Sequence, residues 1–188
     1  MVVCMTSAKP STLSIAMAVS KTDAPRISRW KTTQGPLSEV ANRAFAIAAD
    51  GLSMGKSWSL AQICHHLAVV VENTVQGSGD NRPPKRWSQL TPHQRLMRRA
   101  VKSLMLSTGW FPTGAPAPES VQPPADISLE QALSRLRAAT EAFDAKFITP
   151  GSSWGYHSLL GKMSGRAWRR FHHIHAAHHF SFLKKPDA

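Results

Sequence analysis

Hydrophobic residues recur every three or four positions over five stretches of the chain, and this spacing is typical of amphipathic helices. The stretches begin near residues 36, 57, 91, 128 and 164 and end near residues 49, 76, 109, 147 and 184. No stretch shows the apolar and polar alternation of a surface strand. The pattern predicts an all-α fold. Short-to-moderate connections between the helices favour an up-and-down bundle.

Local capping signals mark several of the predicted helix boundaries. Thr91-Pro92 joins a capping residue to a proline at the first helical position. Ser128 opens a capping box whose third helical residue is Gln131. The remaining predicted caps are Ser57 or Ser59 for the second helix and Ser164 for the last.

The helix that starts at Thr91 is expected to bury an apolar face made of Leu96, Met97, Ala100, Leu104 and Met105. Around it lie stretches without periodicity, which predict loops over residues 80–87, 109–126 and 150–161. The second of these carries five prolines and two glycines. A structureless connection of that length inside a compact domain is often functional.

With 188 residues, the chain has the size of one ordinary domain. Residues 1–33 mix Ser, Thr, Lys and Pro without a long periodic stretch, so we expect a disordered N-terminal segment. Its short apolar patch lacks the basic start and the length of a secretory signal. We therefore expect a single helical domain over residues 34–188.

Two cysteines are too few for a disulfide framework, and Cys64 falls inside a predicted buried helix. We therefore expect a cytoplasmic protein, and no apolar run approaches the roughly 20 residues needed to span a bilayer. The net charge of +12 raises nucleic acid as a partner. No zinc-finger, RNP-like or helix-turn-helix pattern accompanies the charge, so nucleic-acid binding is expected only weakly and without sequence specificity.

Five of the nine histidines lie within eight residues, from His172 to His179. On a helical wheel, His175 and His179 lie on the shoulder of the apolar face, whereas His173 points outward. His178 falls nearest the centre of that face and is the rival to His179. A pair of histidines four residues apart on a half-buried face can share one metal ion.

The best source of a third ligand is His65-His66 in the second helix. Relative to Leu67, His66 lies roughly 100° round the wheel and His65 roughly 160°, so His66 borders the core. Three neutral imidazoles leave a coordination position for water or substrate, which is typical of a catalytic site. Zinc and nickel both accept such ligands.

Two histidine segments, WSLAQICHHLA from Trp58 and HAAHHFSFL from His175, resemble motifs of the DinB/YfiT-like superfamily of four-helix bundles. The likeness is greatest to a branch of unknown-function domains, whose His-Pro-x-x-Gly segment is matched by His157 to Gly161 with serine for proline. The resemblance covers about Leu37 to Leu183 and implies an up-and-down bundle with an additional helix. It also implies His66, His175 and His179 as the metal ligands, the set that the helical wheels favour.

Members of that superfamily include metal-dependent transferases and isomerases that use low-molecular-weight thiols. The resemblance therefore implies a divalent metal, a thiol cofactor and a small-molecule substrate, in a transferase or hydrolase-like enzyme. A thiol carrying carboxylates would give the arginines near the last helix a partner. His157 and His172 are the candidates for general acid or base, although His157 could instead only cap a loop.

Two other interpretations stay open. The chain could be a catalytically inactive basic bundle that binds nucleic acid or a partner protein. Alternatively, its histidines could be ordinary core residues of an inactive relative. Such bundles can also dimerise, and no residue pattern here marks an interface, so a homodimer remains an open alternative.

Overall fold

The computed structural model describes residues 35–53, 57–77, 85–112, 117–147 and 154–184, and it is mostly helical. The predicted disordered segment, residues 1–33, lies outside this part of the chain. The helices are α1 (Ser38–Ala49), α2 (Leu60–Gly77), α3 (Lys85–Ser88), α4 (Pro92–Thr108), α5 (Leu129–Phe147) and α6 (Gly165–Phe180). A single 3-10 turn spans Glu119–Val121, and two short strands, β1 (Tyr156–His157) and β2 (Gly161–Lys162), pair antiparallel.

The core lies between α2 and α5, with α1 packed on α5 and α6 packed on α2. Small residues are buried on both central helices, which lets their backbones approach closely: Ala61, Cys64 and Ala68 on α2, and Ala132 and Ala139 on α5. Burial raises the pKa of the Cys64 thiol to about 12, as expected of a core cysteine. None of the described helices is both long enough and apolar enough to cross a bilayer.

The predicted start and end of α4 are confirmed. The Thr91 hydroxyl accepts a hydrogen bond from the backbone N–H of Gln94, and the Gln94 side chain accepts one from the N–H of Thr91. Gly109 ends the helix at φ 71°, the left-handed conformation that glycine adopts without strain.

The other predicted caps also form. Ser59 rather than Ser57 caps α2, because its hydroxyl accepts from the N–H of Gln62. The hydroxyls of Ser128 and Ser164 accept from the backbone N–H groups of the residues three positions later. These local signals position α5 and α6, which carry much of the core.

The prediction that α4 buries its apolar face is wrong. Of the five residues of that face only Met105 is buried, and Leu96 is 63% exposed. Instead α4 packs through its basic side: Arg98 donates to the carbonyl of Ser158 at 3.1 Å, and Lys102 donates to that of Lys162 at 3.0 Å. These bonds to the β1–β2 hairpin lie on one side of the helix, and its apolar stripe lies on the other side and faces outward.

The last helix ends at Phe180, four residues before its predicted end. The Ser181 hydroxyl donates to the carbonyl of His178 at 2.6 Å, and the chain then turns. Leaving the helix buries Leu183 and allows the carbonyl of Lys184 to accept from Ser53. This tertiary contact outweighs the continuing periodicity.

Three elements overlap predicted loops. The helix α3 overlaps the loop expected over residues 80–87, the 3-10 turn Glu119–Val121 lies within the loop expected over residues 109–126, and the β1–β2 hairpin overlaps the loop expected over residues 150–161. Strands of two residues are too short to show an alternating pattern. Gly161, at φ 75°, lies in the left-handed region where the hairpin turns back.

Candidate metal centre

Three histidine side chains meet between α2 and α6. The Nε2 atom of His175 lies 3.3 Å from that of His66 and 3.0 Å from that of His179. One nitrogen from each ring lies within 4.8 Å of the other two. In the part of the chain that the structure describes, this is the single group of three such side chains that could hold a metal ion.

The ring of His66 is oriented by the connection between α4 and α5. Its Nδ1 lies 2.7 Å from the carbonyl oxygen of Val121, which can only accept, so Nδ1 carries the proton. The lone pair of His66 therefore lies on Nε2, the atom that faces the other two rings. A backbone carbonyl that fixes the tautomer in this way is a common support for a metal-binding histidine.

The nitrogen spacing fits a small cation. Tetrahedral zinc with zinc–nitrogen distances of about 2.0–2.1 Å separates its ligand atoms by about 3.3–3.4 Å. The two short Nε2 separations, 3.3 and 3.0 Å, are close to that value. Without an ion, only one of these two contacts can be an ordinary hydrogen bond, because His66 Nε2 carries no proton and His175 Nε2 carries at most one. A cation would accept all three lone pairs at once. The residues present thus fit a divalent metal.

Burial keeps all three imidazoles in the neutral form that a metal requires. Burial lowers the pKa of His66, and it lowers the pKa of His175 far below its usual value, with the nearby rings of His179 and His66 adding to the effect. The pKa of His179 falls to about 3, through burial and then through His66 and His178.

Aromatic rings hold the imidazoles on two sides. Trp58 stacks on His179, with the ring centres 5.6 Å apart and the planes 18° from parallel. Phe111 stacks on His175 at 5.0 Å and 14°. Phe111 and Val121 both belong to the proline-rich connection over residues 109–126, whose contribution to the site has no periodic signal in the sequence.

His178 lies outside the group of three. Its ring packs against Phe111 at 4.8 Å and Phe182 at 4.9 Å, and it is half-buried. The structure therefore brings His179 rather than its rival to His175.

His65 and His173 also lie outside the group of three. His65 lies beside Arg135, which forms an ion pair with Glu72. The expectation that His173 points outward is wrong: it is fully buried, and its Nε2 donates to the carbonyl of Gly35, just ahead of α1, at 3.2 Å. The wheel missed this because the segment that covers that face lies 138 residues away in sequence.

His157 both caps the hairpin turn and faces the cavity at the site. Its Nδ1 accepts from the backbone N–H groups of Leu159 and Leu160, so the proton of the neutral ring is on Nε2. Burial lowers its pKa to about 4. His157 is therefore a hydrogen-bond donor at neutral pH.

His172 lies one layer deeper and does not line the cavity. Its Nε2 lies 3.1 Å from the hydroxyl of Thr74, and that hydroxyl donates its only proton to the carbonyl of Val70. His172 must therefore donate from Nε2 to Thr74. Burial, with smaller effects from His157 and His173, lowers its pKa to about 3.

A cavity of about 960 Å³ opens onto the three rings. His66, His175 and His179 form part of its wall, together with Thr74 and His157. Its size is at the upper end of the range found for small-molecule sites. A metal on the three Nε2 atoms would therefore be within reach of a bound small molecule.

The model of a protein family described as "Protein of unknown function (DUF1569)" matches residues 29–186, which include all the histidines of the site. The chain matches no curated protein and no solved structure.

Proposed function

We propose that this chain, which belongs to the DUF1569 family of proteins of unknown function, is an enzyme that binds one divalent metal ion through His66, His175 and His179. The observation that carries the proposal is the convergence of three Nε2 atoms on one point at the wall of a large cavity. Three neutral ligands from two helices leave at least one coordination position for a small molecule.

A zinc or nickel ion held by His66, His175 and His179 would lower the pKa of a bound water or thiol and so supply a nucleophile at neutral pH. The protein's own part is to hold three rings neutral, to fix the His66 tautomer through Val121, and to support His175 and His179 with aromatic neighbours. The reaction we propose is transfer of a group to such a thiol, or to water in a hydrolysis.

We assign to His157 the role of stabilising negative charge that develops on the substrate. Its Nδ1 is occupied by backbone N–H groups and its pKa is near 4, so at pH 7 it can donate from Nε2 but cannot serve as a base through Nδ1. A neutral imidazole donor stabilises an oxyanion without itself changing charge. His172 does not face the cavity and acts indirectly, because it orients the hydroxyl of Thr74 in the cavity wall.

We also propose kinship with the DinB/YfiT-like superfamily. Helices α1, α2, α5 and α6 supply the four helices of such a bundle, and α4 is then the additional helix in a single domain over residues 34–188. The packing of α2 on α5, of α1 on α5 and α2, and of α6 on α2 supports this assignment, as does the placement of one histidine on α2 and two on α6.

Metal content tests the site. The untagged full-length protein should purify with, or take up, one zinc or nickel ion per chain. His175→Ala and His179→Ala should reduce this severalfold, whereas His178→Ala and His65→Ala should leave it unchanged. Equal metal content in His175→Ala and wild type would refute the proposed ligand set.

The open coordination position has a separate test. Cobalt(II) placed in the site reports its ligands through its visible spectrum, which should change between pH 6 and 9 as a bound water loses its proton near pH 7. A pH-independent spectrum that exogenous thiol also leaves unchanged would indicate a closed structural site, and the enzymatic proposal would then be wrong.

A further inference from the structure

The described part of the cavity wall carries no charged side chain. The chain has 23 Lys and Arg residues and 11 Asp and Glu residues, yet none of the described residues that line the cavity is one of these four types. In a protein with a net charge of +12, a site for an anionic substrate would be expected to present at least one arginine or lysine.

Three arginines on α4 and α6 bind protein groups. Arg98 donates to the carbonyl of Ser158, a residue of the wall, and so supports the wall from α4. Arg170 on α6 donates to the carbonyl of Leu106. Arg169 pairs with Asp144 at 3.4 Å and lies over the ring of Phe147. The expectation that arginines near the last helix bind carboxylates of a thiol cofactor stays a prediction, but Arg169 and Arg170 already contact protein groups.

Aromatic and aliphatic side chains form most of the wall instead. Trp58, Phe111, Trp154, Trp168 and Phe171 all line it. The polar side chains of the described wall are uncharged, and two of them are bonded within the protein: the hydroxyl of Thr74 to Val70 and His172, and His157 Nδ1 to the hairpin turn. Burying a carboxylate or ammonium group against such a wall costs several kcal/mol unless a counter-ion accompanies it.

We infer that the substrate of this site is an uncharged molecule with an apolar or aromatic body, which meets the metal through a single small polar head group such as a thiol, hydroxyl or carbonyl. This inference rests on the proposed metal site and adds the class of ligand. An ion held by the three neutral imidazoles would supply the only strong electrostatic attraction expected in the described cavity, and it would act on the head group alone.

Three thiols with the same head and different tails test the inference on the cobalt-loaded full-length protein. They are 2-phenylethanethiol, 3-mercaptopropionate and cysteamine, which carry an aromatic, an anionic and a cationic tail. Binding is followed through the sulfur-to-cobalt charge-transfer band. We expect 2-phenylethanethiol to bind at least tenfold more tightly than either charged thiol, because its ring is removed from water without an unpaired charge.

A charge placed in the wall should reduce this preference. Asn73 lines the cavity at an exposed position on α2, so Asn73→Lys should raise the affinity for 3-mercaptopropionate severalfold and leave that for 2-phenylethanethiol within about twofold. Gln76→Lys is the matched control, since Gln76 is exposed on the same helix outside the described lining and should change neither affinity.

The outcomes separate the two proposals. Binding of cobalt together with equal or tighter binding of 3-mercaptopropionate, or with no charge-transfer band from any thiol, would overturn the inference and leave the metal site intact. Failure of the wild-type protein to bind cobalt would overturn the proposed function itself.

Discussion

Helices α4 and α6 both have an amphipathic sequence pattern, but they pack with different faces toward the protein. In α6 the apolar face is buried, and so are His172, His173 and His175 around it. In α4 the apolar face is exposed, and the basic side faces the protein. Periodicity therefore predicted a helix in both cases, but it predicted the buried face in one case only.

The difference follows from what each polar side chain can do when it is covered. A histidine can lose its charge on burial, as the lowered pKa values along α6 show. Arginine keeps its charge and lysine gives it up only at a cost, so they are covered only where they can reach acceptors. In α4 those acceptors are backbone carbonyls of the hairpin, and bonding to them turns the apolar stripe away from the core.

Truncating one apolar residue on each of α6 and α4 should give the largest difference in the free energy of unfolding. Ile174 on α6 is 1% exposed, so Ile174→Ala should lower the free energy of unfolding by about 2–5 kcal/mol. Leu96 on α4 is 63% exposed, and Leu96→Ala should change it by less than about 0.5 kcal/mol. Urea unfolding curves measure both. Similar losses in the two variants would mean that the stripe on α4 is covered.

Zinc should stabilise the protein by binding the histidines of α6 together with His66, whereas α4 supplies no ligand to this site. At a hundredfold excess over its dissociation constant, zinc should raise the free energy of unfolding by about 2.7 kcal/mol at neutral pH. The effect should vanish in His179→Ala and persist in His178→Ala, its neighbour outside the group of three. Melting curves with and without zinc give the comparison. Persistence of the effect in His179→Ala would place the ion elsewhere.

Local signals predicted much of this structure. Thr91-Pro92 and Gly109 set the ends of α4 because capping depends on neighbouring residues. Helical spacing also placed His66 and His175 at the edge of the core, where the structure brings them together with His179. The sequence favoured His179 over His178 but left His178 as an alternative, because both lie near the same face. The structure brings His179 to His175.

Long-range contacts could not be predicted in the same way. The support of His66 by Val121 spans 55 residues, and the bond from Arg98 to Ser158 spans 60. Neither has a periodic signature, since each depends on where an irregular connection happens to cross a helix. The rotation of α4 and the walls of the cavity both rest on such contacts.

Acid should destabilise the protein through the buried histidines of α6. The pKa of His172 is about 3 in the folded protein, against 6.5 in the free side chain. The unfolded chain therefore takes up the proton first, so the stability contribution is full above about pH 6.5 and declines from there to about pH 3. At pH 5 the loss should be about 2 kcal/mol.

Comparing urea unfolding curves at pH 7.5 and pH 5 tests this loss of stability. His172→Gln, which keeps a donor for Thr74, should remove about 2 kcal/mol of the pH dependence. An unchanged pH dependence in His172→Gln would show that the residue is not buried in its neutral form.

Removing the bond from Lys102 on α4 to the hairpin should give the smallest change in the free energy of unfolding. Lys102→Met removes the bond to the carbonyl of Lys162, and because the lysine is half exposed the cost should be about 0.5–1 kcal/mol. Amide exchange of α4 should increase while that of α6 stays the same. A stabilised Lys102→Met variant would contradict the proposed basis for the rotation of α4.

The most direct test of the metal centre is the position of the ion itself. An anomalous difference map at the zinc edge, from crystals of the zinc-loaded protein, should show one peak at about 2.0–2.1 Å from the Nε2 atoms of His66, His175 and His179, with an open position facing the cavity. A peak on His178, a peak on carboxylates only, or the absence of any peak in a zinc-saturated crystal would contradict the account.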